Sequence, residues 1–476
     1  MTGAFSSTDA ALQWLQLVEH ELLIFAAFWF VVGLADEFAI DLTYLWLKLN
    51  GGLRPARLPK GYGAQPLVGR AAVLIPAWQE APVIGTTLAH ALAAWPQAEL
   101  RVYVGCYRND PATIAAAVAG IGEDPRVRLV IHDREGPSTK ADCLNRLYAA
   151  LGVDELRSDV KFRSVVLHDA EDMVHPAALA AIDMALGAVD FVQLPVRPEP
   201  QAASRWIAGH YADEFAEAHA KLLPVRDAIG AGLPAAGIGC GFARHALEAL
   251  AARRVAEGEA GPFAAECLTE DYELGLLISR QGRRSSFLRL RDDAGNLVAT
   301  RSHFPTELGQ AVRQKTRWIH GIAFQSWDRM GWSGGPIDVW MALRDRRGPL
   351  TALVLAAAYL LLLIDAILLG ARLAGWEPVY VLSPMVKTML VLSFAGFAWR
   401  AGMRFAFTTR EYGLAEGLRA LLRIPLGNII AIMAGRRALV AYLHALRGDA
   451  VLWDKTVHRT HPAHGVLPVR LQGAQA

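Results

Sequence analysis

The chain has 476 residues, of which 53% are hydrophobic and 20% are charged, and its mean hydropathy is +0.24. This composition excludes intrinsic disorder for most of the chain, because disorder requires low hydrophobicity and high net charge. It also indicates that part of the apolar sequence lies in lipid. The 48 basic and 46 acidic residues leave a net charge of +2, so we expect no nucleic-acid partner. Four cysteines without a CxxC pair or metal-ligand spacing indicate reduced thiols in the cytosol.

Apolar segments near both ends of the chain predict membrane helices. The first covers residues 22–35 and resumes as FAIDLTYLWLKL, but it is shorter than the roughly 20 residues that a spanning helix needs. A signal peptide is the alternative, although no Lys or Arg precedes Lys48 and a signal peptide begins with basic residues. Residues 350–370 and 379–399 are long enough to span.

Basic residues beside these segments predict how the chain is oriented. They are Lys48, Arg54, Arg57 and Lys60 after the first segment, Arg344, Arg346 and Arg347 before the second, and Arg400, Arg404 and Arg410 after the third. Since Lys and Arg stay on the cytoplasmic side of a membrane, the N-terminus should lie outside and the long middle block in the cytosol.

The same reasoning divides the chain into five parts. Residues 1–50 are predicted to hold the N-terminal transmembrane segment, residues 55–347 the cytosolic domain, and residues 348–400 two transmembrane helices. Residues 401–446 form either interfacial helices on the inner leaflet or a fourth span. Residues 447–476 form a cytosolic tail.

Single charges interrupt the second and third apolar segments. Asp365 and Lys387 come at comparable distances from the short loop between these segments, on helices that must run antiparallel. A buried ion pair between them would lower the cost of placing each charge in lipid. The alternative is that each charge faces a neighbouring helix or reaches the membrane surface.

Strand and helix patterns alternate through the cytosolic block. Residues 71–76 (AAVLIP) form a continuous apolar run, as expected for a strand covered on both faces, and a helical pattern follows it. Repetition of this alternation predicts a mostly parallel α/β sheet. Ligands of such sheets bind beyond the carboxyl ends of the strands, so functional residues are expected directly after each strand.

Acidic residues occupy these positions. Glu80 follows the first strand, Asp110 follows the second, and DAED, residues 169–172, follows the strand RSVVLH. Three carboxylates at one strand end repel one another unless a cation lies between them, and hard oxygen ligands suit Mg²⁺ or Mn²⁺. The alternative is a solvated acidic turn whose last residue caps the next helix.

Three further motifs carry chemistry. TEDYE, residues 269–273, opens a helix, where its acids either satisfy the helix dipole or include a reactive Asp271. In QKTRW, residues 314–318, Arg offers a planar fork for phosphate and Trp a flat platform for a sugar, and a basic helix packed near the membrane is the alternative. AGIGCGF, residues 236–242, is glycine-dense, so that backbone can approach a ligand closely. Cys240 is disfavoured as a nucleophile because no partner His lies at a characteristic spacing.

In this order and between membrane segments, the motifs resemble those of the membrane-embedded inverting glycosyltransferases of family 2, which include bacterial cellulose and hyaluronan synthases. The matching elements are PAWQE, DAED in place of DxD, TED, and QxxRW as QKTRW. Likeness to the inner-membrane glycosyltransferases of phage-receptor systems covers nearly the whole chain, through LADEFAIDLTY, RNDPAT, GPSTKADCLN, LHDAEDMVHP, LTEDYELG, RQKTRW and WDKT. The resemblance implies an α/β fold of the GT-A type, a Rossmann-like, mostly parallel sheet inserted between transmembrane helices.

The resemblance also implies a role for each matching residue. The donor-binding residues would be Glu80, Asp110, Lys140, Asp169 and Arg317. The acceptor-binding residues would be Cys240, Gln314 and Trp318, with Asp271 as the catalytic base. Asp169 and Glu171 would hold Mg²⁺ or Mn²⁺. Because Glu171 replaces the usual second Asp, Asp172 is the alternative metal ligand.

The activity implied by the resemblance is that of a metal-dependent inverting hexosyltransferase in the bacterial inner membrane, with its catalytic domain in the cytoplasm. It would transfer a sugar from a nucleotide-sugar donor, a UDP-linked N-acetylhexosamine, to a growing glycan destined for secretion, and the family implies an outer-membrane export partner. The alternative is a catalytically degenerate membrane scaffold or phage-receptor subunit. The chain ends soon after WDKTVHRTHP, so we expect no C-terminal cyclic-di-GMP-binding domain of the kind that longer relatives carry.

Overall fold

The computed structural model describes residues 7–53, 56–332, 334–377, 382–448 and 460–465. One long helix, α1 (Ser7–Leu49), leads into an α/β domain, and long helices follow that domain. The WDKT motif and most of the predicted tail, residues 447–476, lie outside the described residues.

A seven-stranded sheet forms the centre of the α/β domain. Its strands are β2 (Ala71–Pro76), β3 (Leu100–Tyr107), β4 (Val127–His132), β5 (Ser164–Leu167), β6 (Phe191–Gln193), β8 (Cys240–Ala243) and β9 (Ser285–Phe287). Their order is β4-β3-β2-β5-β8-β6-β9, and neighbours run parallel except at β8, which is antiparallel to both β5 and β6. The predicted mostly parallel sheet is confirmed, with one reversed strand that the alternation of elements does not reveal.

Two pairs of short parallel strands supplement this sheet. They are β1 (Ala56–Arg57) with β10 (Leu290–Arg291), and β7 (Val196–Pro198) with β11 (Thr300–Ser302). The β7–β11 pair continues the chain just beyond β6, so it brings the segment before the QKTRW helix close to the carboxyl end of the central sheet.

Helices alternate with the strands and pack against them. In the α/β domain they are α2 (Ile84–Ala94), α3 (Pro111–Ile121), α4 (Lys140–Ser158), α5 (Ala178–Ala185), α6 (Ile207–Glu217), α7 (Leu223–Ala228), α8 (Arg244–Ala256), α9 (Glu270–Arg280), α10 (Leu308–Ile319), α11 (Ser326–Met330) and α12 (Pro336–Arg346). Two π-helical turns interrupt them, Ala218–Leu222 between α6 and α7 and His320–Gln325 between α10 and α11.

The core of the domain lies between the central sheet and its helices. Val73 and Leu74 of β2, Leu88 of α2 and Leu147 of α4 are all almost completely buried. Each such side chain contributes roughly 25 cal/mol per Å² of apolar surface removed from water. This packing fixes the strand ends, and with them the residues that follow each strand.

Three long helices follow the α/β domain: α13 (Gly348–Leu373), α14 (Pro384–Tyr412) and α15 (Leu414–Ala445). By length and composition, the helices of the described residues that could cross a membrane are Asp9–Leu49, Gly348–Leu373 and Leu414–Ala445. The predicted span 379–399 falls largely on α14, which is not among these three, whereas α15 covers most of the region predicted as interfacial or as a fourth span. The domain boundaries therefore stay a prediction.

A cluster of opposite charges, which we call the junction cluster, joins α1 to the α/β domain and to the helices that follow it. Its members are Asp36, Glu37, Asp41, Glu217, Lys221, Arg344, Arg347 and Arg400. Lys221 Nζ lies 2.5 Å from Asp41 Oδ1 and 2.6 Å from Glu217 Oε1, and Arg400 lies 2.6 Å from the same Glu217 oxygen. Basic residues that flank the second and third apolar segments thus meet acids of α1 in one place.

Asp365 of α13 contacts a residue of α1 and not Lys387. Its carboxyl group is hydrogen-bonded to that of Glu19 on α1, and Arg372 is nearby. The pairing with Lys387 is therefore wrong, and the alternative, in which the charge faces a neighbouring helix, describes Asp365. The reason is that α13 packs along α1, a contact between distant segments that local spacing does not encode.

Candidate active site

A cavity of about 360 Å³ opens beyond the carboxyl ends of the central strands. Eight of the ten residues predicted to form a site line it: Glu80, Lys140, Asp169, Glu171, Asp271, Gln314, Arg317 and Trp318. They come from loops after β2 and β5 and from the first turns or faces of α4, α9 and α10. The fold therefore gathers motifs that lie up to 240 residues apart at one edge of the sheet, where ligands of such sheets bind.

The loop after β2 forms one end of the cavity. Glu80 is buried, and its backbone N–H donates to Thr113 Oγ1 at 2.9 Å. Asp110 does not line the cavity, because its oxygens accept hydrogen bonds from the backbone N–H groups of Gln79 at 2.6 Å and of Thr113 at 3.3 Å. Asp110 caps α3 and holds Gln79 in a left-handed conformation. It therefore stabilises the conformation of the loop.

The side chains of the acidic segment after β5 point in two directions. Asp169 and Glu171 line the cavity, whereas Asp172 is fully buried and turned away from it. Asp172 Oδ2 lies 2.9 Å from His168 Nδ1 and accepts the backbone N–H of Asp169, also at 2.9 Å. Of the two alternatives for a second metal ligand, Glu171 is the one that faces the cavity.

The donor set at this point suits a divalent cation that also binds phosphate. Among the described residues no group of three or more His, Cys, Asp or Glu side chains could enclose a metal ion by itself. Two carboxylates, Asp169 and Glu171, line the same wall of the cavity. Mg²⁺ is commonly held by one or two carboxylates and completes its shell with water and phosphate oxygens, so these residues fit such an ion.

Lys140 lies at the centre of the acidic residues. It opens α4, after Thr139, whose hydroxyl caps the helix by accepting the N–H of Asp142 at 3.2 Å. Its Nζ lies 2.5 Å from Asp169 Oδ1. Although burial alone would lower the pKa of Lys140, the carboxylates of Asp169 and of the two acids that open α9 raise it above the ordinary value, so the ammonium group stays charged.

Glu270 and Asp271 occupy the first turn of α9 and titrate together. Burial raises the pKa of Asp271 above its ordinary value, Asp169 adds to this shift, and Lys140 opposes it. Burial and the neighbouring Asp271 raise the pKa of Glu270 to about 8. A carboxylate with a raised pKa accepts a proton more readily than a solvated one, which is the property that a general base requires.

The glycine-dense segment AGIGCGF allows these charges to approach one another. Gly237 has a φ of +75°, and a Cβ atom there would collide with the Asp271 carboxylate and lie 3.2 Å from Lys140 Nζ. At Gly237 the backbone therefore lies close to protein side chains, whereas the close approach to a ligand that we predicted for this segment stays a prediction.

Cys240, predicted to bind the acceptor, lies elsewhere. It is a fully buried residue of β8, paired with Leu167 of β5 and Gln193 of β6, and it does not line the cavity. Burial raises the pKa of its thiol, so that it stays protonated. Its side chain belongs to the sheet, while Ala236 and Ile238 from the same segment reach the cavity wall.

The QKTRW helix, α10, forms the opposite end of the cavity. Gln314, Arg317 and Trp318 line it from one face of the helix, as their i, i+3, i+4 spacing predicts. Lys315 is directed differently, since its Nζ lies 2.5 Å from Glu214 Oε2 on α6. One cation of the motif is thus neutralised by the protein, and the other, Arg317, faces the cavity.

Aromatic side chains that the motifs do not identify complete both ends. Trp78 and Tyr107 meet edge to face at 5.1 Å at the Glu80 end. Phe215 and Phe304 lie 5.2 Å apart beside Trp318 at the other end. Trp78 is part of the PAWQE motif, so the sequence could have identified it as a site residue. Phe215 and Phe304 come from separate elements, and no local sequence pattern links them.

Comparison with known proteins agrees with these features. Residues 69–321 match a family model described as "Glycosyltransferase like family 2". The chain is 33% identical to bacteriophage adsorption protein B of Escherichia coli K12 and, equally, to bacteriophage N4 adsorption protein B of Escherichia coli O157:H7; each alignment covers 94% of this chain and 63% of the relative. A solved mannosyltransferase from Pyrobaculum calidifontis, in complex with GDP-Man and Mn²⁺, is 18% identical, covers 83% of this chain and 98% of its own, and gives a TM-score of 0.45.

The family model covers more than half of the chain and includes the DAED, TED and QKTRW motifs. The predicted likeness to proteins of phage-receptor systems is confirmed by the adsorption protein B relatives, of whose length the chain spans 63%. The mostly parallel sheet with its covering helices confirms the expected GT-A fold. The chain therefore belongs to glycosyltransferase family 2.

Proposed function

We propose that the protein is an inverting glycosyltransferase that moves a sugar from a nucleotide-sugar donor to a growing glycan. The observation that carries this proposal is the arrangement of charge around one cavity. Asp169, Glu171, Arg317 and Trp318 line the same cavity. Lys140 lies close to both Asp169 and Asp271, and the charge of Arg317 acts on Asp271. A phosphate group, a sugar and a proton acceptor can therefore meet in one place.

The donor is expected to lie along the wall formed by the loops after β2 and β5. Trp78 and Tyr107 offer aromatic surface for a nucleobase beside Glu80. Asp169 and Glu171 would hold Mg²⁺ or Mn²⁺, which neutralises negative charge that develops on a diphosphate leaving group. Arg317 supplies a planar, permanently charged fork for the same group from the opposite side.

Asp271 is proposed as the general base. It removes the proton of the acceptor hydroxyl as that oxygen attacks the anomeric carbon of the donor. The bond from the anomeric carbon to the nucleoside diphosphate breaks in the same step, and the diphosphate leaves with the bonding electron pair. Attack from the face opposite to the leaving group gives one displacement, so the configuration of the sugar inverts.

The finer assignments rest on the resemblance of the sequence motifs to those of inner-membrane glycosyltransferases. We propose a UDP-linked N-acetylhexosamine as the donor, a glycan destined for secretion as the product, and an export protein of the outer membrane as the partner. We further propose that the chain lies in the bacterial inner membrane with its α/β domain in the cytoplasm. Helices long and apolar enough to cross a membrane lie on both sides of that domain, which supports this arrangement.

A non-catalytic membrane scaffold is the alternative function. A scaffold has no need to keep a carboxylate with a raised pKa, a charged Lys and an Arg around one cavity, since like charges brought together cost stability. The charged wall built from Lys140, Asp169, Asp271 and Arg317 favours the enzyme.

The test is donor turnover by the purified full chain in lipid nanodiscs, with a panel of sugar nucleotides and either Mg²⁺ or Mn²⁺. We expect release of nucleoside diphosphate with one donor and a glycan product by mass analysis. Asp271→Asn should abolish transfer while binding of that donor persists, because the substitution removes the base and keeps the size of the side chain. Asp293→Asn, at an exposed turn, is the control and should turn over normally. Donor binding without turnover by the unaltered chain would favour the scaffold.

A further inference from the structure

One side chain of the cavity wall belongs to no motif and carries a free polar atom. His219 lies on the π-helical turn Ala218–Leu222 and lines the cavity. Its Nδ1 accepts the backbone N–H of Val196 at 2.9 Å and also lies 3.1 Å from the Val196 carbonyl oxygen. Both contacts use the same nitrogen, and Nε2 has no hydrogen-bond partner among the described residues.

The surroundings of His219 hold its ring in place. The residue is 8% exposed, and its ring meets Phe215 at 5.0 Å and Phe287 at 5.7 Å, edge to face in both contacts. Burial, and then the charge of Arg289, lower the pKa of His219 to about 4. The imidazole is therefore neutral at physiological pH. In the tautomer in which Nδ1 accepts the Val196 N–H, the ring hydrogen resides on Nε2, and the proposal below concerns this tautomer.

His219 lies beside the aromatic part of the cavity, where we expect the acceptor. Phe215, which touches His219, is 5.2 Å from Phe304 and 6.4 Å from Trp318 in ring-centroid distance. A wall of aromatic rings with one neutral N–H group is suited to a sugar, because the rings contact the apolar face of the sugar and the N–H contacts a hydroxyl. The negatively charged groups of the donor would instead lie beside Asp169 and Glu171 in the proposed arrangement.

The π-helical turn that carries His219 is anchored from behind. Lys221, two residues further on, is 2% exposed and lies 2.5 Å from Asp41 and 2.6 Å from Glu217. π-helical turns insert one residue into a helix and are frequent at functional sites. Here the turn directs His219 to the cavity and Lys221 to the junction cluster.

We propose that His219 binds the acceptor glycan, donating a hydrogen bond from Nε2 to a hydroxyl oxygen of the acceptor sugar next to Trp318. This inference rests on the proposed function and adds to it a residue that selects and orients the acceptor. His219 takes no part in proton transfer in this proposal, and the donor nucleotide does not touch it.

The test separates acceptor binding from donor binding. In His219→Phe the ring is kept and the N–H is lost, so we expect the KM for a soluble acceptor oligosaccharide to rise about tenfold, the effect of a hydrogen bond worth about 1.4 kcal/mol. The KM for the donor, and hydrolysis of the donor without acceptor, should stay within about twofold of the unaltered chain. His219→Gln restores an N–H group and should recover part of the acceptor affinity.

The controls keep the outcome decisive. His245→Phe removes an exposed imidazole of α8 that pairs with Asp190, and it should change neither KM. An unchanged acceptor KM in His219→Phe, or an equal loss of donor and acceptor affinity in both His219 variants, would overturn the proposal. Failure of the proposed function is a different result, since the unaltered chain would then transfer no sugar from any donor.

Discussion

The charge of Lys140 affects the protonation of Asp271, the proposed base. It therefore leads to a prediction about the pH dependence of kcat. Protonation of Asp271 should slow transfer at low pH. Burial raises the pKa of Asp271, and Lys140 opposes this shift. Removing the cation in Lys140→Met therefore raises that pKa. We expect the acidic limb of the kcat–pH profile, measured at saturating donor, to move to higher pH.

The matched control for this prediction is Lys161→Met. Lys161 also pairs with carboxylates, Glu155 and Glu248, but its side chain is 69% exposed and lies outside the cavity lining. Its replacement should leave the profile in place. An acidic limb that stays fixed, or moves to lower pH, in Lys140→Met would contradict the assignment of Asp271 as the titrating base.

Gly237 gives a prediction in which two glycines with the same backbone conformation behave differently. Gly237→Ala places a Cβ against the Asp271 carboxylate, and Gly61→Ala, at a φ of +77°, places one in open space. Both substitutions should lower the free energy of unfolding by about 1–2 kcal/mol, the cost of a left-handed conformation. Only Gly237→Ala should also lower kcat, by at least tenfold, because the base is displaced. Equal kcat values in the two variants would show that the contact has no catalytic consequence.

For single residues, the sequence predicted which residue types form the site better than it predicted the direction of each side chain. Acids directly after strands predicted Asp169 and Glu171 at a ligand edge, because parallel strands end together. Asp110 has the same sequence context, yet its carboxylate bonds to backbone N–H groups. Cys240 is buried within strand β8 and does not line the cavity. Neither orientation follows from residue type, since both depend on the register and on loops packed from elsewhere.

Between elements, the junction cluster links α1 to the turn that carries His219. Lys221 is buried between Asp41 and Glu217, so Lys221→Met leaves two buried carboxylates with less positive charge around them. Breaking a buried ion pair by removing one partner costs about 3–5 kcal/mol, and Arg400 offsets part of this loss through Glu217. We expect the free energy of unfolding in detergent to fall by about 3 kcal/mol.

The double variant Lys221→Met with Asp41→Asn tests whether the loss comes from uncompensated charge. It should be more stable than Lys221→Met alone, because it neutralises Asp41, whose remaining ion pair with Arg400 at 4.0 Å is longer than the 2.6 Å pair that Glu217 keeps. The exposed Lys161→Met again serves as the control, and surface ion pairs of its kind contribute at most about 1 kcal/mol. Equal stability of Lys221→Met and the unaltered chain would contradict an anchoring role for the cluster.

Periodicity predicted the alternating elements but missed their local irregularities. The apolar run 22–35 is only part of the 43-residue helix α1, whose acids Asp36, Glu37 and Asp41 are paired in the junction cluster. The reversed strand β8 and the turn Ala218–Leu222 also escaped prediction. Each is stabilised by contacts between segments far apart in the chain, which local pattern does not contain.

For the whole molecule, α15 bears on the two predictions for residues 401–446, because it is long and apolar enough to cross a membrane and also contacts the α/β domain at two places. Near its start, Arg423 is fully buried and lies 2.6 Å from Asp213 of α6. Near its end, the hydroxyl of Tyr442 donates to Asp328 of α11 at 3.0 Å. These two positions are nineteen residues apart, about 28 Å along a helix, and both contact the α/β domain. A helix that left this domain to cross the bilayer would lose one of these contacts, so we favour an interfacial α15 over a fourth span.

Thiol labelling of single-cysteine substitutions tests this arrangement. The native cysteines of the chain are all buried, so an exposed new cysteine is the expected site of labelling. Leu414→Cys and Leu446→Cys mark the two ends of α15, where the native side chains are 60% and 64% exposed, and Leu373→Cys marks the far end of α13, where Leu373 is 83% exposed. With a membrane-impermeant maleimide on cells whose outer membrane has been opened, we expect only Leu373→Cys to react. Both α15 variants should react after the inner membrane is permeabilised, since an interfacial helix keeps its two ends in the cytosol. Reaction of Leu446→Cys but not Leu414→Cys before the inner membrane is permeabilised would establish α15 as a span.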